Sequence, residues 1–240
     1  MRSAPLIVLL ALPSLAGVTP AAERHVGPAR EHQRLEDAYR AAEPGDVILV
    51  HPKPDNAPYH RVALQVRKPK LTFRAVRNDD DPRIPLEGRD FNYSGRGATP
   101  RAIVQFNPGA DGGTLVGFEL RNASNNTHNG AGVRINQANG VTIADCEIHH
   151  NDMGVMSNGS AAESSAVNQR IVDCHIHHNG TADDPGYNHN LYLGGTSVML
   201  RGCQINHATT GHNVKSRAHL TWVEGCDVHD SANREFDLVQ

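Results

Sequence analysis

A chain of 240 residues with 22 glycines, 14 prolines and a formal net charge of −3 is one globular domain, large enough to bury a continuous core. This near-neutral balance excludes a basic nucleic-acid binder and an acidic disordered tail. Met1 and Arg2 precede the apolar run Ala4 to Val18, and small residues follow from Thr19 to Ala22. The pattern predicts a secretory signal over residues 1–22, cleaved near Ala21 or Ala22. Pro5 and Pro13 interrupt the run, and it is shorter than the roughly 20 residues that span a bilayer. No later segment is apolar enough to cross a membrane, so residues 23–240 are expected as a secreted or periplasmic domain without a stable anchor.

His32 to Ala42 carries Leu35, Ala38, Tyr39 and Ala42 at helical spacing, and Glu43 to Asp46 (Glu-Pro-Gly-Asp) stops that helix before the strand Val47 to Val50. Residues 51–101 are rich in proline and charge, with one alternating stretch, Leu71 to Val76, that predicts a strand. They read as irregular first coils with a surface excursion through Phe91 to Ala98.

From Ile103 onward a short pattern recurs. Phe118, Cys146, Cys174, Cys203 and Cys226 occupy one slot at steps of 28, 28, 29 and 23 residues, a period that signals stacked coils. Each cysteine has an apolar partner two residues later (Ile148, Ile176, Ile205, Val228), which puts both on the inward face of a strand. Buried in register, the cysteines form a ladder of small apolar rungs; a disulfide between neighbouring rungs is the alternative. No CxxC pair is present to suggest zinc. A second strand follows in every coil: 131–135, 153–157, 190–193, 213–217 and 235–238. Two or three short strands per period with polar turns predict an all-β parallel β-helix, a solenoid; the pattern of leucine-rich repeats is absent. The spacing between slot and second strand varies, so loops of unequal length leave one corner, the longest being Asn179 to Asn188. The chain ends just after a strand residue, with no polar cap, so a continuation or a covering chain is expected.

Aligning the second strands gathers an outward patch: Asn190 and Tyr192, then Asn213, Lys215 and Arg217, then Glu235 and Asp237, with His189 and His212 beside it. Such a set suits β-elimination next to a hexuronate, which needs a carboxylate neutraliser, a base for the C5 proton and an acid for the leaving oxygen. Arg217 is the candidate clamp and Lys215 the candidate base, with Tyr192 or His212 as acid. Asn190, Asn213 and His189 are candidate substrate-binding residues. The same charges also fit a plain solvated face with ion pairs across coils.

The helix stopped by Pro-Gly before a buried strand resembles the amino-terminal cap of secreted right-handed parallel β-helix proteins. The whole of residues 30–240 looks like the superfamily typified by pectate lyases. Gly211 to Arg217 (Gly-His-Asn-Val-Lys-Ser-Arg) is similar to the Lys-Ser element of alginate lyase-like members. The resemblance implies Lys215 as base, while the arginine of that pattern usually comes from another coil, so Arg217 departs from it. Many relatives hold the carboxylate with calcium, which implies Glu235 and Asp237 as candidate metal ligands. An acidic polysaccharide is the expected partner of a polysaccharide lyase; a non-catalytic glycan-binding β-helix and a C5-epimerase are the alternatives. The recurring histidines after the slot (His149, His150, His177, His178, His207, His229) read as a structural ladder at a turn, or as ligands for a transition metal.

Overall fold

The computed structural model describes residues 21–159 and 165–239. Residues 1–20, which carry most of the expected signal, lie outside the described residues. No described helix is long and apolar enough to cross a membrane.

Three parallel sheets of eight, seven and seven strands run the length of the molecule, and each coil contributes one strand to each sheet in turn. The first sheet contains Val47–Val50, Thr72–Ala75, Thr142–Ala144 and Ser197–Arg201; the second contains Glu147–His149 and His175–His177; the third contains Ala131–Asn136, Leu191–Leu193 and Val214–Ser216. Inward side chains stack in register. Ile143 lies between Leu115 and Ile171, Ile148 between Leu120 and Ile176, and Val155 between Val133 and Leu191. All nine are fully buried. Each such side chain contributes about 1.5–3 kcal/mol by leaving water, and a short strand is stable only because the coils on either side complete its ladder.

The stretch around each cysteine slot, expected as one strand, is two. The residue just before the slot has a left-handed backbone in every coil: Gly117 (φ 84°), Asp145 (47°), Asp173 (53°), Gly202 (64°) and Gly225 (60°). This conformation costs an ordinary L-residue about 1–2 kcal/mol and is visited most readily by Gly, Asn and Asp, the types found here. It turns the chain from the first sheet into the second. Four residues after the slot a second left-handed corner leads out: Asn122, His150, His178, His207 and Asp230. Cys146, Cys174 and Cys203 are buried and Cys226 half-buried, all four as free thiols, so they are interior rungs as expected and the disulfide alternative is not realised.

The capping helix spans Leu35–Ala41, and its buried Leu35 and Ala38 pack on the strands Glu23–Val26, Val47–Val50 and Leu64–Val66. Glu23–Val26, which the sequence did not reveal, pairs in register with Val47–Val50. The excursion after Glu87 is pinned by Tyr93, which is fully buried, donates its hydroxyl to the Val62 carbonyl and meets Phe91 edge-on.

Candidate functional site on the outer face of the third sheet

Outward residues of the third sheet align in one row along the solenoid axis: Gln65, Gln105, Arg134, Met156, Tyr192, Lys215 and Asp237, each directly paired with the next. With strands about 4.8 Å apart, the row is about 29 Å long. Inward neighbours such as Leu191, Leu193, Val214 and Ser216 are buried and fix the phase.

At one end Lys215 Nζ lies 3.1 Å from Asp237 Oδ2. Arg234 Nη1 reaches the other carboxylate oxygen at 2.9 Å, and His212 Nε2 is 3.4 Å from Oδ2. The Lys215 ammonium, foremost, holds the Asp237 carboxyl below its usual range, with His212 and Arg234 helping. His189 and His212 are buried and stacked, ring centroids 4.9 Å apart and 5° from parallel. His189 Nδ1 accepts the His212 backbone N–H at 3.0 Å, so that nitrogen carries no proton. Burial, then the neighbouring His212 and Lys215, push the His189 pKa down to about 3. Burial likewise lowers His212, although Asp237 opposes it. His212 Nδ1 is buried without a partner among the described residues. Tyr192 stands edge-on to His189 at 5.6 Å and beside Lys215 in the row.

The structure brings Tyr192, Lys215, His189, His212 and Asp237 together, and corrects three other assignments: Asn190, Asn213 and the pairing of Glu235 with Asp237 as metal ligands. Asn190 and Asn213, expected on the outer face, are fully buried because they are corner residues that precede the strands Leu191–Leu193 and Val214–Ser216. They belong to a chain of amides inside the wall. Ala123 N–H donates to Asn151, whose side-chain NH₂ donates to Asn179, that of Asn179 to Asn190, and that of Asn190 to Asn213. Glu235 ends this chain, accepting from Asn213 through one oxygen and from the Ser231 N–H through the other. Glu235 and Asp237 therefore do not fit a shared calcium: the first turns each oxygen to an N–H of Asn213 or Ser231, and the second sits against Lys215, Arg234 and His212. Arg217 follows the strand, is exposed, and makes no ion pair among the described residues.

Two features of this side of the molecule escaped the sequence reading. Farther along the row, Arg134 and Arg101 line a pocket of about 160 Å³ with Gln105, Asn136 and Gly95. Neither arginine has a carboxylate partner among the described residues, and burial together with Arg101 lowers the Arg134 pKa. A side chain on Gly95 would collide with the Arg101 stem, so this glycine leaves the pocket room. Second, the loops carrying Asp90, His128 and Asp183 enclose a cleft of about 610 Å³ in which Asp152 is buried. Burial, and Asp183 nearby, raise the Asp152 carboxyl despite N–H donation from Gly130 and Asn125. In sequence these groups lie on loops without a shared period, so nothing marked them as neighbours.

No family model matches the chain, and no curated protein matches it. Among solved structures it is similar to a rhamnogalacturonan lyase, at 12% identity and a TM-score of 0.54, over 88% of this chain and 58% of that one. It is also similar to the pectin methylesterase from Aspergillus niger, at 12% identity and a TM-score of 0.55, over 92% of this chain and 82% of that one. The chain thus spans little more than half the length of the lyase that it matches. Its three in-register parallel sheets and these two likenesses make it a right-handed parallel β-helix, and in this chain a short helix caps the amino-terminal end.

Proposed function

We propose that the outer face of the third sheet binds an acidic polysaccharide laid along the solenoid axis, and that the chain cleaves it by β-elimination beside Lys215. The observation that carries this reading is the row itself: Arg134 and Lys215 align with Tyr192 on one face, with Arg101 beside Arg134 and neither arginine neutralised. Unpaired guanidiniums recognise carboxylates in two-pronged fashion, and an aromatic ring between cationic positions offers a flat apolar surface to a sugar. The fold neighbours are named for a lyase of rhamnogalacturonan and a methylesterase of pectin, which supports a carbohydrate-active role for a protein of this shape.

In the elimination, the uronate carboxylate is neutralised by Arg217, which carries no competing carboxylate. Lys215 takes the C5 proton and Tyr192 gives a proton to the leaving oxygen as the C4–O bond breaks. Lys215 must be free of its own proton for this step, and Asp237, 3.1 Å away, competes to retain it. That contact favours the second reading, recognition without cleavage. Export by the expected signal would bring the domain to such a polymer outside the cytoplasm.

The test is ultraviolet absorbance of the unsaturated uronate on alginate, pectate and glycosaminoglycans. Activity that disappears in Lys215→Ala supports the elimination. Binding without absorbance leaves recognition, and solvent deuterium entering C5 without absorbance identifies epimerisation. Absence of binding to every acidic polymer overturns the reading.

A further inference from the structure

On a different face, three potential ligands converge. His175 and His177 flank the buried Ile176 on one strand, so both rings leave the second sheet on its outer side. Glu147 stands directly opposite His175 on the neighbouring strand. One ligating atom from each of Glu147, His175 and His177 lies within 4.8 Å of the others. His177 Nε2 is 3.2 Å from Glu147 Oε1, and the two histidine ring centroids are 4.0 Å apart.

We propose that Glu147, His175 and His177 bind a transition-metal dication of the zinc class. Two imidazoles and one carboxylate are a ligand set that zinc takes, and all three groups are only partly buried, which leaves a fourth position open to water. The surrounding groups orient these ligands as an outer shell does. His178 Nδ1 lies 2.7 Å from His177 Nδ1 and turns the opposite ring nitrogen toward Glu147. Arg83 lies 3.9 Å from Glu147 Oε2 and leaves Oε1 facing the histidines. His149 stacks on His177 at 4.9 Å and holds its plane.

Among the described residues the full set occurs at one pair of adjacent coils, although the repeat runs through five. One coil earlier the corresponding residues are Glu119, Glu147 and His149, which offer a single imidazole, and both His149 and Arg121 engage Glu119; one coil later Gln204 and Asn206 replace both imidazoles. An in-register histidine ladder alone would need no carboxylate opposite His175. The stacked corner rings of His150, His178 and His207, at 5.5 and 4.9 Å, show what a ladder without that carboxylate looks like.

The experiment is calorimetric titration of ZnCl₂ into the full chain, prepared without a histidine tag, with the electronic spectrum of added Co²⁺ as an independent readout of coordination. One equivalent is expected to bind. His175→Ala and Glu147→Gln each lower affinity at least about tenfold, the loss that even an outer-shell partner causes, whereas His207→Ala leaves it unchanged. Circular dichroism verifies that each variant is folded, and Glu147→Gln, the milder change, stands in should His175→Ala not fold. Absence of zinc binding, full affinity in Glu147→Gln, or an equal loss in His207→Ala overturns the proposal. None of these outcomes depends on whether the third sheet binds a polysaccharide.

Discussion

His189 illustrates how burial sets charge in this wall. Its pKa falls from 6.5 to about 3, so the unfolded chain takes up a proton between those values that the folded chain refuses. Stability is then complete above the unfolded pKa and declines as pH drops through the interval. Glu147, lowered to about 2, acts in the same direction below 4.5. His229, raised by Asp230, acts oppositely. From pH 6.5 to 5, His189 alone is expected to cost about 2 kcal/mol, at about 1.4 kcal/mol per pH unit. Urea unfolding at the two pH values should show that loss, and His189→Gln should remove most of it; an unchanged pH difference in the variant would refute the assignment. Lys215 and Tyr192 were legible in the sequence because strict alternation carries them outward. Asn190 and Asn213 were not, because alternation was extended one residue past the start of each strand, into a corner where a side chain turns inward to feed backbone and amide partners.

Corners, more than strands, define the coil. Gly202 has a φ of 64°, and a side chain there would run into the Asp173 carboxylate. Gly202→Val should therefore destabilise by at least about 2 kcal/mol, combining left-handed strain with that collision. Asn179 is more costly to lose. Its side chain donates to the carbonyls of Ile148 and His177 and accepts from the backbone N–H of Asn151. Asn179→Ala leaves two or more buried groups unpaired at about 1–3 kcal/mol each, so a loss of about 2–6 kcal/mol is expected. A lower denaturant midpoint at constant m-value would establish both effects; wild-type midpoints would contradict them. The cysteine slot gave away its strand phase because apolar residues two apart recur with a fixed period. The bend in front of it stayed hidden, since Gly and Asp at that position suit a turn and a loop equally well.

The stack as a whole protects its interior unequally. Cys146, Cys174 and Cys203 are sealed by coils on both sides, while Cys226 belongs to the last described coil and is half-buried. Reaction with a thiol reagent is expected to modify one cysteine promptly in the native chain and all four after denaturation. Prompt reaction of several thiols would show a looser stack. The fold was readable from its period because each coil contacts only its neighbours, so a local pattern repeated in sequence becomes a repeat in space. The cleft around Asp152 and the Arg101–Arg134 pocket depend on loops that obey no period, and their geometry emerges only once the coils have placed them.

The amide chain from Asn151 to Glu235 has a direction. Every side-chain NH₂ in it gives one N–H to the next member toward the carboxyl-terminal coil, and each link polarises the next. Reversing any one amide would set two oxygens face to face on one side and two NH₂ groups on the other, so the orientations stand or fall together. A carboxylate, which only accepts, is the natural terminus of such a line. The wall beneath Lys215 is in this respect a wire with a sign: partial positive charge leads toward Glu235, whose oxygens accept at the far end, and the alignment runs all the way back to Ala123.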